Sequence, residues 1–269
     1  MNKSDDKVSI IMGIYNIPSK DILMKSIYSI LNQTYTNIEF IIIDDGSTNC
    51  TYEWAEEIIK DDKRVILLKN EENIGLTKTL NLCLEKCTGK YVARMDGDDY
   101  CESTRIEKQV EFLKKHSEYS LVSTNLELFD ENGVWGERKN NEVIKGDDFL
   151  FTSPVPHPTI LTYKWCYKIV DGYKEKWYTD RNEDYDIFMR MFANGIKMYT
   201  IQENLYSYRE DKTCYSKRKY KYRICEFIVR LLGFKSLKLY PKAIPYVIKP
   251  LIVGLIPQKY LKKLRKTSF

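Results

Sequence analysis

"NIEFIIIDDGS", residues 37–47, is the stretch that decides the fold. Five of the six residues from Ile38 to Ile43 are large and apolar, so neither face of such a strand is left for water. That is the pattern of a central parallel strand covered on both sides. The Asp-Asp-Gly-Ser that follows has the composition of a turn. Upstream, "KVSIIMGIY" (7–15) is predicted as the preceding strand. Between the two, "SKDILMKSIYSILNQ" (19–33) predicts a helix with Ser19 as N-cap and Leu23, Ile27, Ile30 and Leu31 on one face. Downstream come a helix through Trp54 and Ile58, a strand "RVILLK" (64–69), a helix "LTKTLNLCLEK" (76–86) and a strand "YVARM" (91–95). A helix "STRIEKQVEFLKKH" (103–116) and a strand "YSLVSTN" (119–125) follow. Strand and helix in alternation predict an α/β domain with a mainly parallel sheet flanked by helices.

The rhythm changes at Leu126. "LELFDENGVWGE" predicts a hairpin around Asn132-Gly133, and "PVPHPTILTY" (154–163) a proline-punctuated loop entering a strand. "EDYDIFMRMFANG" (183–195) predicts a helix, with "KMYTI" and "LYSYR" as two short strands after it. Residues 1–211 are expected to form one domain, with a regular half (1–125) and an irregular half (126–211). Residues 212–269 form a tail of another composition.

Charge marks the division. From Lys212 to the end there are 16 Lys/Arg and one acid, Glu226, whereas 27 Lys/Arg and 37 Asp/Glu precede it. The body thus carries about −10 and the tail about +15. The tail's apolar clusters alternate with bases, and Pro241, Pro245, Pro250 and Pro257 are expected to break it into short pieces. No run approaches the roughly twenty residues of a membrane-spanning helix. Short amphipathic helices on an anionic membrane surface fit this composition, as does a tail packed on the body or on a second copy. Nucleic acid fits least, because the bases are interleaved with apolar runs rather than exposed aromatics. The N-terminus has acids where a signal peptide needs bases, and the seven cysteines include no Cys-x-x-Cys pair. A cytoplasmic protein with reduced, mostly buried thiols is expected, peripheral on the cytoplasmic face of the membrane.

Ligands of an open parallel sheet bind beyond the carboxyl ends of its strands. Four polar clusters fall there: Tyr15-Asn16, Asp44 to Ser47, Asn73 to Asn81, and Asp96-Gly97-Asp98-Asp99. The last puts three carboxylates into four positions, which mutual repulsion disfavours unless a cation holds them. Turn chemistry explains any one cluster alone. Neither a dinucleotide-binding glycine fingerprint nor a phosphate-binding P-loop is present.

"VSIIMGIYN", "IEFIIIDDGSTN", "NIGLTKTLN", "YVARMDGDD" and "NEDYDIFMRM" occur in the order and spacing that resembles family-two inverting glycosyltransferases of the GT-A fold, over residues 7–210. It looks particularly like bacterial enzymes of capsule, exopolysaccharide or lipopolysaccharide synthesis. The resemblance implies a UDP-sugar donor, a glycan acceptor that is commonly lipid-linked, and a Mn²⁺ or Mg²⁺ ion. By it Asp98 carries the metal and Asp96 contacts ribose or sugar and assists the metal, with Asp99 in support or at the donor sugar. Asp45 matches the acid that recognises the base, the alternative being a helix cap. Asn16 approaches the nucleotide with Tyr15 beside it, and Asn73 and Gly75 lie near ribose and diphosphate. Arg94 offsets phosphate charge or pairs with an aspartate. Asp184 is the implied base and Glu183 its neighbour at the acceptor, although acids also favour a helix N-terminus for its own sake. His157 is a candidate for metal or diphosphate, or for a structural hydrogen bond. Tyr173 and Trp177 are candidate stacking surfaces for the acceptor, or core. Two departures stand out: Gly13 replaces a usual proline, loosening that turn, and Leu80 a usual arginine. A nucleotide-sugar-binding protein without catalysis and a nucleotidyltransferase are the rival classes.

Overall fold

The computed structural model describes residues 6–60, 62–210 and 219–255. Strands β1 (Val8–Ile14), β2 (Ile38–Asp44), β3 (Val65–Lys69) and β4 (Tyr91–Arg94) pair in parallel in the order β3-β2-β1-β4. Helices α1 (Lys20–Leu31), α2 (Thr51–Ile59) and α3 (Leu76–Lys86) make the crossovers. Every residue of β2 is buried. Its side chains alternate between two cores: Phe40 and Ile42 go to one, Ile41 and Ile43 to the other. Ser19 Oγ accepts from the Ile22 N–H at 3.4 Å, capping α1.

A two-residue strand, β5 (Tyr100–Cys101), leads to α4 (Arg105–Lys115), β6 (Leu121–Asp130), β7 (Gly133–Arg138) and β8 (Leu161–Tyr163). Then come α5 (Lys164–Ile169), α6 (Glu183–Ala193) and β9 (Met198–Arg209). The sheet continues past β4 as β8-β6-β9-β5, with β7 paired to β6. β8 lies antiparallel to both neighbours, while β6 and β9 are parallel. The two strands expected at 197–209 are one. β9 runs unbroken because its polar centre is absorbed by register shifts opposite Asn125, whose amide reaches Gln202 at 3.3 Å. The short β5 and α5 were not expected.

Two further helices, α7 (Lys221–Ser236) and α8 (Ile244–Leu255), belong to the basic tail. Val229, Phe234, Leu239, Ala243 and Val247 enter the same core as Phe188 and Met191 of α6. The partition expected at 211 is therefore a division of charge, while α7 and part of α8 share the core of the body. Residues 211–218, where it falls, and 256–269, with Pro257, lie outside the described residues. Pro245 and Pro250 do not break the chain as expected. Pro245 sits in the first turn of α8, where a missing N–H costs nothing. Pro250 leaves the Tyr246 carbonyl without its helical donor, and the Arg230 guanidinium reaches that oxygen at 3.4 Å.

Glu39 shows how a twice-covered strand tolerates an acid. Its carboxylate accepts from Lys7 Nζ at 2.8 Å, Thr88 Oγ1 at 2.6 Å, the Gly89 N–H at 3.1 Å and Ser9. Burial works against the charge, but the bonds from Lys7, Ser9 and Thr88 outweigh it and hold the carboxyl down at about 2. A depressed carboxyl contributes stability above its unfolded pKa and loses it as pH falls through the folded one. Glu39 is thus expected to contribute about 3 kcal/mol at neutral pH, lost between about pH 4.5 and pH 2. Urea unfolding of Glu39→Gln across that range checks this: the gap from the unmodified chain should close on acidification.

Candidate active site

The strand ends of β1, β2 and β4 open into a cleft of ≈ 1440 Å³, above the roughly 300–1,000 Å³ of a small-ligand site. Gly13 to Tyr15, Asp45, Asn73 to Thr79, Arg94 and Asp96 form one wall. Arg138, the 152–158 and 175–185 segments, Tyr208 and four residues of α7 form the other.

Asp45, 4% exposed, accepts from Asn70 Nδ2 at 2.9 Å, the Ile74 N–H at 3.0 Å and the Gly75 N–H at 2.9 Å. It therefore fixes the loop that carries Asn73 and Gly75 and does not cap α2, whose N-cap is Cys50. Gly46 is required just beside it, at φ +68°, because a Cβ there would lie 2.4 Å from the Glu72 backbone. Asn16 ties the same rim from the other side: its Oδ1 accepts from the Thr48 N–H at 2.9 Å, and its own N–H donates to Ser47 Oγ. Tyr15 lines the cleft and is 46% exposed. Gly13 lies within β1 and not in the turn beyond it, packed against Thr79 and Leu76. Leu80 is fully buried, so the departure from arginine there is a core residue.

At the end of β4, Arg94 makes a buried two-point pair with Asp96: NH2 to Oδ1 at 2.6 Å and NH1 to Oδ2 at 2.8 Å. Gly97 packs where a Cβ would be 2.6 Å from Ile14 Cγ2, so the acidic turn lies flat against β1. Asp98 is pushed up to about 6 by burial and then by the Asp96 charge, with Arg209 and Arg94 pulling the other way. Asp99, 1% exposed, is raised by burial and by both neighbouring acids. It accepts from Tyr206 Oη at 2.8 Å and from the Arg209 N–H at 2.7 Å, so its carboxylate faces β9. The Tyr206 hydroxyl also accepts from the Asp96 N–H at 3.2 Å, joining both ends of the turn.

Across the cleft, Glu183 and Asp184 open α6. Burial raises both carboxyls, Glu183 to about 7, with the Asp184 charge adding to it. Asp184 Oδ1 accepts from the Tyr185 N–H at 2.7 Å. His157 lines the cleft, but its Nε2 is held by Tyr173 Oη at 2.7 Å, leaving only Nδ1 free of that bond. Burial and the Arg94 charge hold its pKa well below the usual range. Tyr173, 2% exposed, is core and offers no stacking face, whereas Trp177, 69% exposed, lines the cleft. Asn70, Arg138, Tyr206 and Arg209 were not anticipated. No group of three or more His, Cys, Asp or Glu is set to hold a metal ion among the described residues.

A mostly parallel sheet flanked by helices, with a large cleft at its strand ends, defines the GT-A class. The family described as glycosyl transferase family 2 matches residues 9–188, and the chain belongs to that family. It is similar to EpsE of Bacillus subtilis (strain 168), with 39% identity over 98% of this chain and 94% of EpsE. It is 30% identical to the UDP-Glc:alpha-D-GlcNAc-diphosphoundecaprenol beta-1,3-glucosyltransferase WfaP of Escherichia coli, over 85% of this chain and 88% of WfaP. The fold also matches S. aureus TarS 1-349, solved with UDP-GlcNAc, at a TM-score of 0.69 and 17% identity, covering 94% of this chain and 82% of that one.

Tyr206→Phe keeps the ring beneath Arg105 and removes only the hydroxyl that joins Asp96 to Asp99. It is expected to cost about 1–3 kcal/mol, since Asp99 stays buried with one partner fewer. The midpoint of urea unfolding, at unchanged slope, measures it.

Proposed function

We propose that the protein transfers a sugar, with inversion, from a UDP-sugar to a hydroxyl of a lipid-linked glycan in exopolysaccharide synthesis, on the cytoplasmic face of a membrane. The observation that carries this is one cleft lined by Asp96 after the end of β4 and by Glu183 and Asp184 at the start of α6, with Asp98 on the same turn as Asp96 but not among the lining residues. The UDP-Glc donor in WfaP's name and the UDP-GlcNAc bound in the TarS complex support the donor class. WfaP's acceptor, a diphosphoundecaprenol, supports the lipid-linked one.

Asp45, Asn73 and Gly75 form the nucleotide end, with the Asp45-braced loop presenting backbone to ribose and diphosphate and Tyr15 against the base. The remaining acceptor capacity of the Asp45 carboxylate suits a uracil imide N–H. Asn16 acts there by holding the rim.

The donor set fits a hard divalent cation. Asp96 and Asp98 lie two positions apart on one turn and offer hard carboxylate oxygens, with the Asp96 charge balanced by Arg94. Asp98 with Asp96 would hold Mn²⁺ or Mg²⁺, with His157 Nδ1 the remaining nitrogen. The cation, when bound, neutralises the leaving diphosphate. Asp184 takes the proton of the acceptor hydroxyl as its oxygen bonds to the anomeric carbon, and the bond from that carbon to UDP breaks on the opposite side. Glu183 orients the acceptor.

Asp98→Ala is expected to abolish transfer and to remove the metal dependence of UDP binding. Calorimetric titration of UDP with and without Mn²⁺ tests it; unchanged metal dependence refutes the assignment. Asp184→Asn is expected to keep UDP-sugar affinity while losing transfer by roughly a hundredfold or more. Because Asp184 must be deprotonated to serve as base and burial raises its carboxyl, kcat/KM should rise with pH and level off at a higher pH than an ordinary aspartate would give. An equal loss of binding and transfer in the mutant would move the base elsewhere.

A further inference from the structure

Helix α8, "IPYVIKPLIVGL", has a single charge, Lys249. Ala243 just before it, with Val247 and Pro250, faces the core. The opposite face should be polar if it met only water. Instead it carries Ile244, Ile248, Ile252 and Leu255, at i, i+4, i+8 and i+11, and all four are exposed, from 43 to 73%. Four large aliphatic side chains on one outward arc call for a partner.

We propose that this face of α8 seats the protein on an anionic lipid bilayer, flat in the headgroup region, with the acceptor side of the cleft held at the bilayer surface. This deepens the reading of a lipid-linked acceptor and rests on it. Length decides the orientation: twelve residues of helix span about 18 Å, short of the roughly 30 Å of hydrocarbon. No helix among the described residues is long and apolar enough to cross a membrane. Charge decides the lipid. Lys235, Lys238 and Lys249 are exposed on or beside the helix, and the one acid of the tail, Glu226, is taken up by Arg223 and Arg230. The chain that continues from Leu255 carries five more basic residues and no acid, a charge suited to anionic headgroups.

The seat is coupled to the site. Arg230 lines the cleft and bonds the carbonyls of Leu150 at 2.8 Å, Phe151 at 3.0 Å and Tyr246, the last within α8. Tyr222, Arg223 and Glu226 of α7 also line the cleft, so a bilayer under α8 lies beside its acceptor wall. An acceptor whose lipid stays in the bilayer would present its sugar there.

Flotation of the full chain with vesicles of phosphatidylglycerol and phosphatidylcholine, against phosphatidylcholine alone, tests the proposal, with Ile248→Glu/Ile252→Glu as the variant. Both residues point away from the core, so the variant should keep its fold and its UDP-induced thermal shift. The unmodified chain is expected to float with the anionic vesicles, less so in high salt, and the variant to partition about tenfold less or weaker. Equal flotation of the two chains overturns the assignment of this face while leaving membrane attachment standing. No flotation of the unmodified chain overturns the membrane seat, and UDP-sugar turnover on a soluble acceptor then shows that the transferase reading survives. A lipid-free dimer that the variant dissolves would assign the face to a second copy and overturn the proposal.

Discussion

The buried guanidinium of Arg94 is the charge on which the cleft depends. It stands at the end of β4, 3% exposed, in a two-point pair with Asp96. A buried ion pair gains little net stability, because desolvation offsets the attraction. Its effect on the neighbours is larger. The same cation pulls down the pKa of Asp98 on its own turn and of Glu183 and Asp184 on the same cleft, and it adds to the burial that keeps His157 neutral. One fixed positive charge thus moderates both acidic sets, and it belongs to the scaffold, because the parallel pairing of β4 with β1 sets its place.

The acidic turn is held from a distance. Arg105, fully buried on α4, donates to the Arg94 carbonyl at 2.9 Å and to that of Pro158 at 3.1 Å, joining β4 to the segment around His157. Tyr206 and Arg209 close the turn from β9, so the two halves of the domain meet at Asp99. That is why an acid with no opening to the cleft is kept there. Asp99 trades the cost of a buried carboxylate for a fixed geometry of Asp96 and Asp98.

The sequence made the central strands legible because burial on both faces leaves a continuous apolar run, and it marked Asp45, Asp96 and Asp184, which line the cleft, because each falls in a short motif at an element end; Asp98, from the same motif as Asp96, is not among the lining residues. It could not show Tyr206 or Arg209, which lie more than a hundred residues from the aspartate they hold and carry no local signal. Nor could it separate Tyr173 from Trp177, since stacking surfaces and core aromatics have the same composition; the hydrogen bond to His157 drew one inward. In the tail, the density of lysine and arginine drew attention to the surface, while the spacing of Cys225, Val229 and, later, Ala243 and Val247 already described a buried stripe.

The start of α6 carries the sharpest choice between a bland and a functional reading. Acids near a helix N-terminus are ordinarily there because the dipole favours them, by about 0.3–1 kcal/mol. If that were the whole account, the carboxyls would titrate at or below their usual range. They titrate above it, Glu183 at about 7, because burial, helped at Glu183 by the Asp184 charge, outweighs the dipole. The burial that raises them works against the charged form and exceeds what the dipole returns. Helix stability therefore does not explain the pair. A carboxyl raised toward neutrality inside a cleft suits proton transfer from a hydroxyl, the role proposed for this pair.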